Sequence, residues 1–236
     1  MLRPGWLLAL ALASVIGWVV WLMPATVALA PVNGVMLGPA PLQLSQIEGR
    51  VWAGSSRWRW QDKQGTLRWQ VRWQGFRPGV LADLRGDLLL KGWLGAGSGI
   101  VLRDADAALP LASLKGIVPD VAADGVVSVR GLSLHWQKNK ASVSSGLFEY
   151  TGGTASWGRE SAVLPSLRGE VVQNAGVSTV DVVTAEGQRV FQGTLENTMA
   201  ELRVYRAWPA LLGLSQGGSP DDVIFETSRQ LDYQEP

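Results

Sequence analysis

Residues 67–74 read Leu-Arg-Trp-Gln-Val-Arg-Trp-Gln, and this stretch decides the fold. Apolar and polar side chains alternate at every step, which is the pattern of a β-strand with one dry face and one wet face. Residues 57–61 alternate in the same way. The segment Asp62–Gly65 lies between the two runs, so the pair predicts a β-hairpin whose turn includes Gly65.

The alternation sorts the bulky side chains of this hairpin onto two faces. Four tryptophans are expected on one face: Trp58, Trp60, Trp69 and Trp73. Four arginines are expected on the other: Arg57, Arg59, Arg68 and Arg72. The tryptophans are interpreted as the dry face of a sheet, with a sugar- or peptide-binding face as the alternative. The arginines are interpreted as a solvated face, with a site for phospholipid headgroups or an acidic partner as the alternative.

Strand patterns continue along the rest of the chain, separated by turn signals. They are predicted at 86–94, 99–103, 126–136, 141–150, 153–157, 167–172, 177–184 and 189–195. The alternation changes phase at Gly131, which indicates a β-bulge. Helical spacing is scarce, with short helices expected within 106–118 and 205–214. The predicted fold class is all-β, with about ten strands in one antiparallel, curved sheet or an open β-sandwich-like domain.

The N-terminus carries the one strongly apolar run. Trp6 to Met23 contains 18 residues without a charge, close to the roughly 20 residues that span a bilayer as a helix. With Arg3 before it, the bias of positive residues toward the cytoplasm puts the rest of the chain outside. The alternative is a signal peptide cleaved after Ala30. Predicted boundaries are a cytoplasmic tip at 1–5, a transmembrane helix at 6–23, a linker at 24–41, a β-domain at 42–214 and a polar tail at 215–236. Within the tail, the pattern indicates a strand near 223–227.

Composition excludes several classes of function for the 236-residue chain. A net charge of +1 argues against nucleic-acid binding. There is no cysteine and only one histidine, His135, so disulfides, thiolate sites and multi-histidine metal sites are excluded. Asp104 and Asp106 are expected in a turn or cap, as are Asp221 and Asp222. We therefore expect no enzyme activity, catalytic residue, cofactor or metal.

The segment 42–54, Leu-Gln-Leu-Ser-Gln-Ile-Glu-Gly-Arg-Val-Trp-Ala-Gly, carries a family resemblance. It resembles the start of the periplasmic domain in the type II secretion system protein N family. The residues that match are Leu44, Gly49, Val51, Trp52 and Gly54. Arg50 departs from the pattern, which commonly has Thr there. The resemblance implies one spanning helix followed by a β-rich exported domain, and it marks these five residues as structural or interaction candidates.

The resemblance also implies a function and a location. We expect an accessory component of the type II secretion system, which supports export of folded proteins through protein–protein contacts in the periplasm. Its location would be the cell inner membrane, single-pass through 6–23, and its partners other secretion components. The alternative is a periplasmic carrier of lipid or another hydrophobic ligand, held in the groove of a curved β-sheet. A carrier would bind lipid on a continuous apolar trough.

Overall fold

The computed structural model describes residues 12, 14, 15, 17–19, 21–37, 40–96, 99–114, 121–137, 140–157, 160–214 and 217–230. Most of them lie in strands, and all strand pairs are antiparallel. The predicted all-β class with one large antiparallel sheet is therefore confirmed.

The elements follow one another along the chain with short connections. The first strands are β1 Met36–Leu37, β2 Ala40–Pro41, β3 Gln43–Arg50, β4 Ala53–Trp60, β5 Lys63–Gln74, β6 Arg77–Gly86, β7 Leu89–Ala96, β8 Ile100–Pro110 and β9 Val121–Ala123. The remaining strands are β10 Val126–Gln137, β11 Lys140–Tyr150, β12 Gly153–Trp157, β13 Glu160–Leu164, β14 Leu167–Asn174, β15 Val177–Thr184, β16 Arg189–Glu196, β17 Met199–Tyr205 and β18 Val223–Gln230. Besides the helical positions described between residues 12 and 22, the structure has α1 Ala25–Leu29, α2 Ala207–Leu211 and a 3₁₀ turn at Leu111–Leu114.

Thirteen strands form one sheet in nearly sequential order. The order is β3-β4-β5-β6-β7-β8-β10-β11-β14-β15-β16-β17-β18. Two excursions leave this meander, and β9, β12 and β13 pair with each other as a small separate sheet. Among the described residues few side chains are fully buried, and the largest of these is Val190. The domain is therefore a single extended sheet with a thin core.

Bulges bend this sheet at defined places. The pairing of β10 with both neighbours shifts register beside Gly131, which has φ +60°. The bulge predicted from the phase change is therefore confirmed. A second bulge lies in β8, where the pairing with β7 shifts near Asp104, whose φ is +48°. Because a bulge increases local twist, the two together bend the middle of the sheet.

The first hairpin differs from its prediction in the position of the turn. β4 ends at Trp60 and β5 begins at Lys63, so Gln61 and Asp62 form the turn, with Gln61 at φ +55°. Gly65 lies inside β5 and pairs with Trp58. A Cβ on Gly65 would lie 2.7 Å from the indole nitrogen of Trp58 and closer still to a backbone oxygen. The glycine therefore makes room for a packed tryptophan, and the prediction of Gly65 in the turn is wrong.

The predicted short helices have different outcomes. β8 runs through Pro110, so a helix beginning at Asp106 is wrong, and only the 3₁₀ turn at Leu111–Leu114 is helical there. Residues 115–118 of that prediction lie outside the described residues. The second helix is present as α2 within the predicted 205–214. The apolar–polar alternation of β8 around Asp106 is weak in the sequence, because Ala105, Ala107 and Ala108 are small and contribute little hydrophobicity.

The N-terminal prediction falls partly outside the described residues. Half of 6–23 and all of 1–5 are not described, and the described positions between 12 and 22 are helical. Within the described part of the chain, none of the helices combines the length and apolarity needed to cross a bilayer. The segment predicted as a linker, 24–41, contains α1, β1 and β2, and the predicted tail contains β18.

Candidate functional site: the apolar face and the hairpin at its N-terminal end

One face of the large sheet carries an uninterrupted apolar row. Directly paired residues in an antiparallel sheet point to the same side, so the strand register identifies the row. Its members, one from each of eleven strands, are Leu67, Leu84, Leu90, Ala107, Val129, Phe148, Gly169, Val182, Phe191, Val204 and Phe225. At the usual spacing between strands, the row is roughly 48 Å long. We call the side that carries this apolar row the apolar face.

Much of the apolar face is accessible to solvent. Leu90 in β7 is 45% exposed and Phe225 in β18 is 54% exposed, although both belong to the apolar row. Leu94 and Leu202, on the same face, are 47% and 43% exposed. Helix α2 covers part of it, where the Trp208 ring lies 4.7 Å from the Phe191 ring. Exposed apolar side chains arranged continuously are typical of a binding surface.

The apolar face becomes concave in the C-terminal half of the sheet. β11 pairs with β14 only at residues 147–150, and its first residues turn instead toward β15 and the β16–β17 turn. The Ala141 N–H donates to the Asn197 carbonyl at 2.6 Å, and the Val143 N–H donates to Ser178 Oγ at 3.0 Å. These hydrogen bonds draw two parts of the sheet around a cavity of about 370 Å³.

The opposite side of the sheet, the polar face, carries charges in register. Arg68, Asp83, Lys91 and Asp106 pair in succession across β5, β6, β7 and β8, so their charges alternate in sign. Arg85 also donates to Asp83 at 2.8 and 2.9 Å, and this hydrogen bond lowers the pKa of the Asp83 carboxyl. Cross-strand pairs of opposite charge stabilise a solvated face, and like charges would destabilise it.

The predicted sorting of tryptophans and arginines onto two faces is confirmed by the register. Trp58 is 3% exposed, and Trp60 and Trp69 are half-buried, which fits a dry face. Trp73 is 68% exposed, because β4 pairs with β5 only as far as Gln70 and leaves the end of β5 without that neighbour. All four arginines are exposed, and none forms an ion pair with another described residue. They are Arg57, Arg59, Arg68 and Arg72.

The five resemblance residues lie in one hairpin, β3–β4. Val51 and Trp52 are its two-residue turn, since Arg50 pairs with Ala53. Gly49 and Gly54 pair across the two strands just before and after the turn. Leu44 lies further along β3, paired with Trp58 and 7% exposed. The sequence pattern therefore marks a compact local structure.

At both glycines of this hairpin, neighbouring atoms lie so close that a side chain would collide with them. Gly49 has φ +95°, and a Cβ there would lie 2.5 Å from the Ala53 carbonyl oxygen. A Cβ on Gly54 would lie 2.5 Å from the indole ring of Trp69. Trp69 lies across Gly54 and donates its indole N–H to the Val51 carbonyl at 3.2 Å. Glycine is thus needed for backbone conformation at one position and for ring packing at the other.

The turn of this hairpin receives the N-terminal segment of the chain. The Trp52 indole N–H donates to the Trp21 carbonyl at 3.0 Å, and the two rings lie 5.6 Å apart. The Val51 N–H donates to the Met23 carbonyl at 3.2 Å, and Pro24 bridges to Arg50. Ala25 in α1 is 1% exposed beneath this junction. Two of the resemblance residues, Val51 and Trp52, therefore join the helical N-terminal residues to the sheet.

The N-terminal segment also covers the edge strand β3. The side chain of Asn33 accepts a hydrogen bond from the Leu44 N–H at 2.8 Å. The Gly34 N–H donates to the Leu42 carbonyl at 2.7 Å. The other edge strand, β18, has no strand on its outer side among the described residues, and every residue in it is exposed. One end of the sheet is therefore covered and the other is open.

The polar residues singled out from the sequence make local contacts with neighbouring residues. His135 is half-buried on the polar face, with Gln137 Nε2 3.3 Å from its Nε2. Asp106 accepts a hydrogen bond from the Gly131 N–H, and Asp222 accepts from the Ser219 N–H and pairs with Arg206. Asp221 and Asp222 lie in the turn before β18, so their predicted turn role is confirmed. Asp104 and Asp106 lie inside strand β8, so the turn or cap role predicted for them is wrong. Among the described residues, no cluster of three or more acidic or histidine side chains could hold a metal ion.

The cavity residues were missed as a group by the sequence. Val171, Val180 and Leu195 each lie in a predicted strand, but alternation alone does not specify which strands pair.

Comparison with known proteins adds no family. No known family model matches the chain, and neither the curated proteins nor the solved structures contain a match to it.

Proposed function

We propose that this chain is an accessory component of the type II secretion system, attached to the inner membrane, with its sheet in the periplasm. It would act there by non-covalent binding, without chemistry of its own. The observation that supports the proposal most is the position of the resemblance residues. Val51 and Trp52 form the turn that meets the N-terminal segment, and Gly49 and Gly54 shape that turn. The resembling pattern thus occupies the place where an anchor would hold the domain.

The apolar face and the open edge at β18 supply binding surfaces for such a role. Burial of apolar surface contributes roughly 25 cal/mol per Å² before the costs of association. A standard interface needs about 800 Å² from each partner. Leu90, Leu94 and Leu202 present apolar area on one side of the sheet, and the exposed backbone edge of β18 could add a partner strand.

The test compares two adjacent leucines in a strain that lacks the chromosomal copy. Leu90 is 45% exposed on the apolar face, and Leu89 is 50% exposed on the polar face. We expect Leu90→Lys to reduce both the secretion of folded exoproteins and co-purification with secretion-platform proteins at least fivefold. Leu89→Lys, a matched control in the same strand, should behave as wild type. If deletion of the gene leaves secretion and platform-protein levels unchanged, the proposal is wrong.

The apolar row favours a second candidate function, that of a carrier for lipid or another hydrophobic ligand. Its eleven members continue from strand to strand without a charged side chain, which suits an elongated apolar ligand. A carrier predicts that the deletion alters the lipid content of the envelope while secretion stays normal. An assembly factor predicts the reverse, so lipid analysis of the same strains separates the two functions.

A further inference from the structure

The cavity on the apolar face has two walls from separate parts of the sheet. Leu132, Leu134, Val143 and Phe148 line it from β10 and β11. Val171, Val180, Leu195 and Ala200 line it from β14, β15, β16 and β17. The walls are joined where Ala141 and Val143 donate backbone hydrogen bonds to Asn197 and Ser178. The cavity is therefore a built feature of the fold and not merely an exposed patch.

The chemistry of the lining restricts what can occupy the cavity. Ser178 Oγ, which lies on the lining, already accepts the Val143 N–H at 3.0 Å. Glu201, the one charged residue of the lining, belongs to the polar face by its register in β17, and its side chain pairs there with Arg203 at 2.6 Å. A polar ligand group buried here would recover few of the hydrogen bonds that it makes with water, because most of the lining residues are apolar, whereas a hydrocarbon chain loses none. At about 370 Å³ the cavity is also within the usual range of roughly 300–1,000 Å³ for small-molecule sites.

We propose that this cavity binds one acyl chain of a membrane phospholipid. The inference gives a site and a ligand class to the carrier function named above, and it rests on that alternative. The apolar row continues from Phe148 toward Leu67, so the rest of the lipid has apolar surface beside the cavity mouth. Phospholipid is the source of acyl chains nearest to a domain held at a bilayer.

Two glycines on the apolar face provide a matched test. Gly193 lies in the cavity, and a Cβ there would lie 3.0 Å from Val180 Cγ1. Gly92 lies on the same face outside the cavity, and a Cβ there would lie 3.0 Å from the Ala105 Cβ. Neither glycine has a positive φ, so a side chain is compatible with the backbone. Gly193→Leu fills the cavity and Gly92→Leu does not.

The experiment uses the full chain in cells fed a fatty acid that carries a diazirine near its methyl end. Cells incorporate this probe into phospholipids, and ultraviolet light then links it covalently to any protein it touches. We expect phospholipid adducts on peptides from β10, β11 and β14–β17 of the wild type. Gly193→Leu should reduce them at least fivefold, and Gly92→Leu should leave them unchanged. Ala200→Leu, a second cavity-filling change, covers the case in which Gly193→Leu does not fold.

Three results would overturn the proposal: no adduct on these peptides, equal labelling in the cavity-filled and wild-type chains, or adducts whose mass is that of free fatty acid. The labelling is performed in a strain without a type II secretion apparatus. Failure of the acyl-chain proposal is therefore distinguishable from failure of the secretion proposal, which is measured by exoprotein export.

Discussion

At the scale of single residues, the sheet depends on tryptophan rings that lie flat across glycines. Trp93, on the polar face, is 3% exposed and lies across Gly79 and Gly95. Its indole N–H donates to the Arg72 carbonyl at 3.1 Å, and the Arg103 guanidinium lies 5.7 Å from its ring. A ring of this size can pack against a single sheet only where the backbone beneath it has no side chain.

Gly79→Ala should destabilise the domain by about 1–3 kcal/mol, the usual cost of overpacking. The new Cβ would lie 2.3 Å from the Trp93 ring and 2.7 Å from the Leu94 carbonyl oxygen, so ring and backbone must both move. Urea unfolding followed by tryptophan fluorescence measures the change. Gly193→Ala is the control, because its Cβ meets a side-chain methyl group and no backbone atom nearer than 4.0 Å. Equal losses in the two variants would contradict the packing role.

Residue alternation predicted the faces of the first hairpin but not the reason for its glycines. Trp58, Trp69 and the arginines between them lie on the sides that a period of two assigns. Gly65 was assigned to the turn because glycine is a common turn residue. The close approach of Trp58 depends on a tertiary contact, which local sequence does not encode.

At the scale of elements, the β3–β4 hairpin is the junction between the N-terminal segment and the sheet. Its turn is short, and its outward side makes the hydrogen bonds to Trp21 and Met23. The carbonyl of Trp52 also accepts the Val71 N–H at 2.6 Å, so the turn is held by β5 as well. The junction is therefore rigid on the sheet side, and its strength depends on the contacts of Trp52.

Trp52→Ala should loosen this junction while the sheet remains folded. The variant loses the ring contact with Trp21, worth about 0.5–1.5 kcal/mol, and an indole hydrogen bond of about 0.5–1.5 kcal/mol. Amide exchange at Val51, which donates to Met23, should accelerate about tenfold or more, since 1.4 kcal/mol is a factor of ten. Trp73→Ala removes an exposed indole and serves as the control. Unchanged exchange at Val51 would show that Trp52 does not hold the junction.

The strand patterns of the sequence predicted several elements with their limits, and they missed two strands of the large sheet, β6 and β17. β12 and β15 have the predicted limits, Gly153–Trp157 and Val177–Thr184. β6 was missed because Val80 to Leu84 are all half-buried, so both of its faces carry partly apolar residues. β17, Met199–Tyr205, was missed although Ala200, Leu202 and Val204 alternate with Glu201 and Arg203, so the sequence does carry the pattern of this strand.

At the scale of the whole molecule, the binding surface arises from pairings between distant parts of the chain. β8 pairs with β10 and β11 pairs with β14 across the two excursions, and without these pairings the apolar row would divide into three.

The charged residues are also distributed unevenly along the chain. Residues 1–103 contain 11 basic and 4 acidic side chains, a net +7, and residues 104–236 contain 10 and 16, a net −6. The half of the sheet beside the N-terminal segment is therefore the basic half.

The sequence predicted a curved antiparallel sheet, but neither the strand order nor the cavity. Alternation gives each strand two faces, whereas the register that aligns Phe148 with Gly169 depends on pairing across β12 and β13. The composition of the whole chain also hides the charge division, because the charges of the basic half and the acidic half nearly cancel and leave a net charge of +1.

The central claim is that the apolar face, and not the polar face, is the binding surface. Two adjacent residues of β11 test it, Phe148 on the apolar row and Glu149 on the opposite side. A photoreactive benzoylphenylalanine is placed at each position in turn, and the chain is irradiated in cells. The account predicts adducts, with lipid or protein, from position 148 and at most a background yield from position 149. Equal yields, or adducts from position 149 alone, would contradict it.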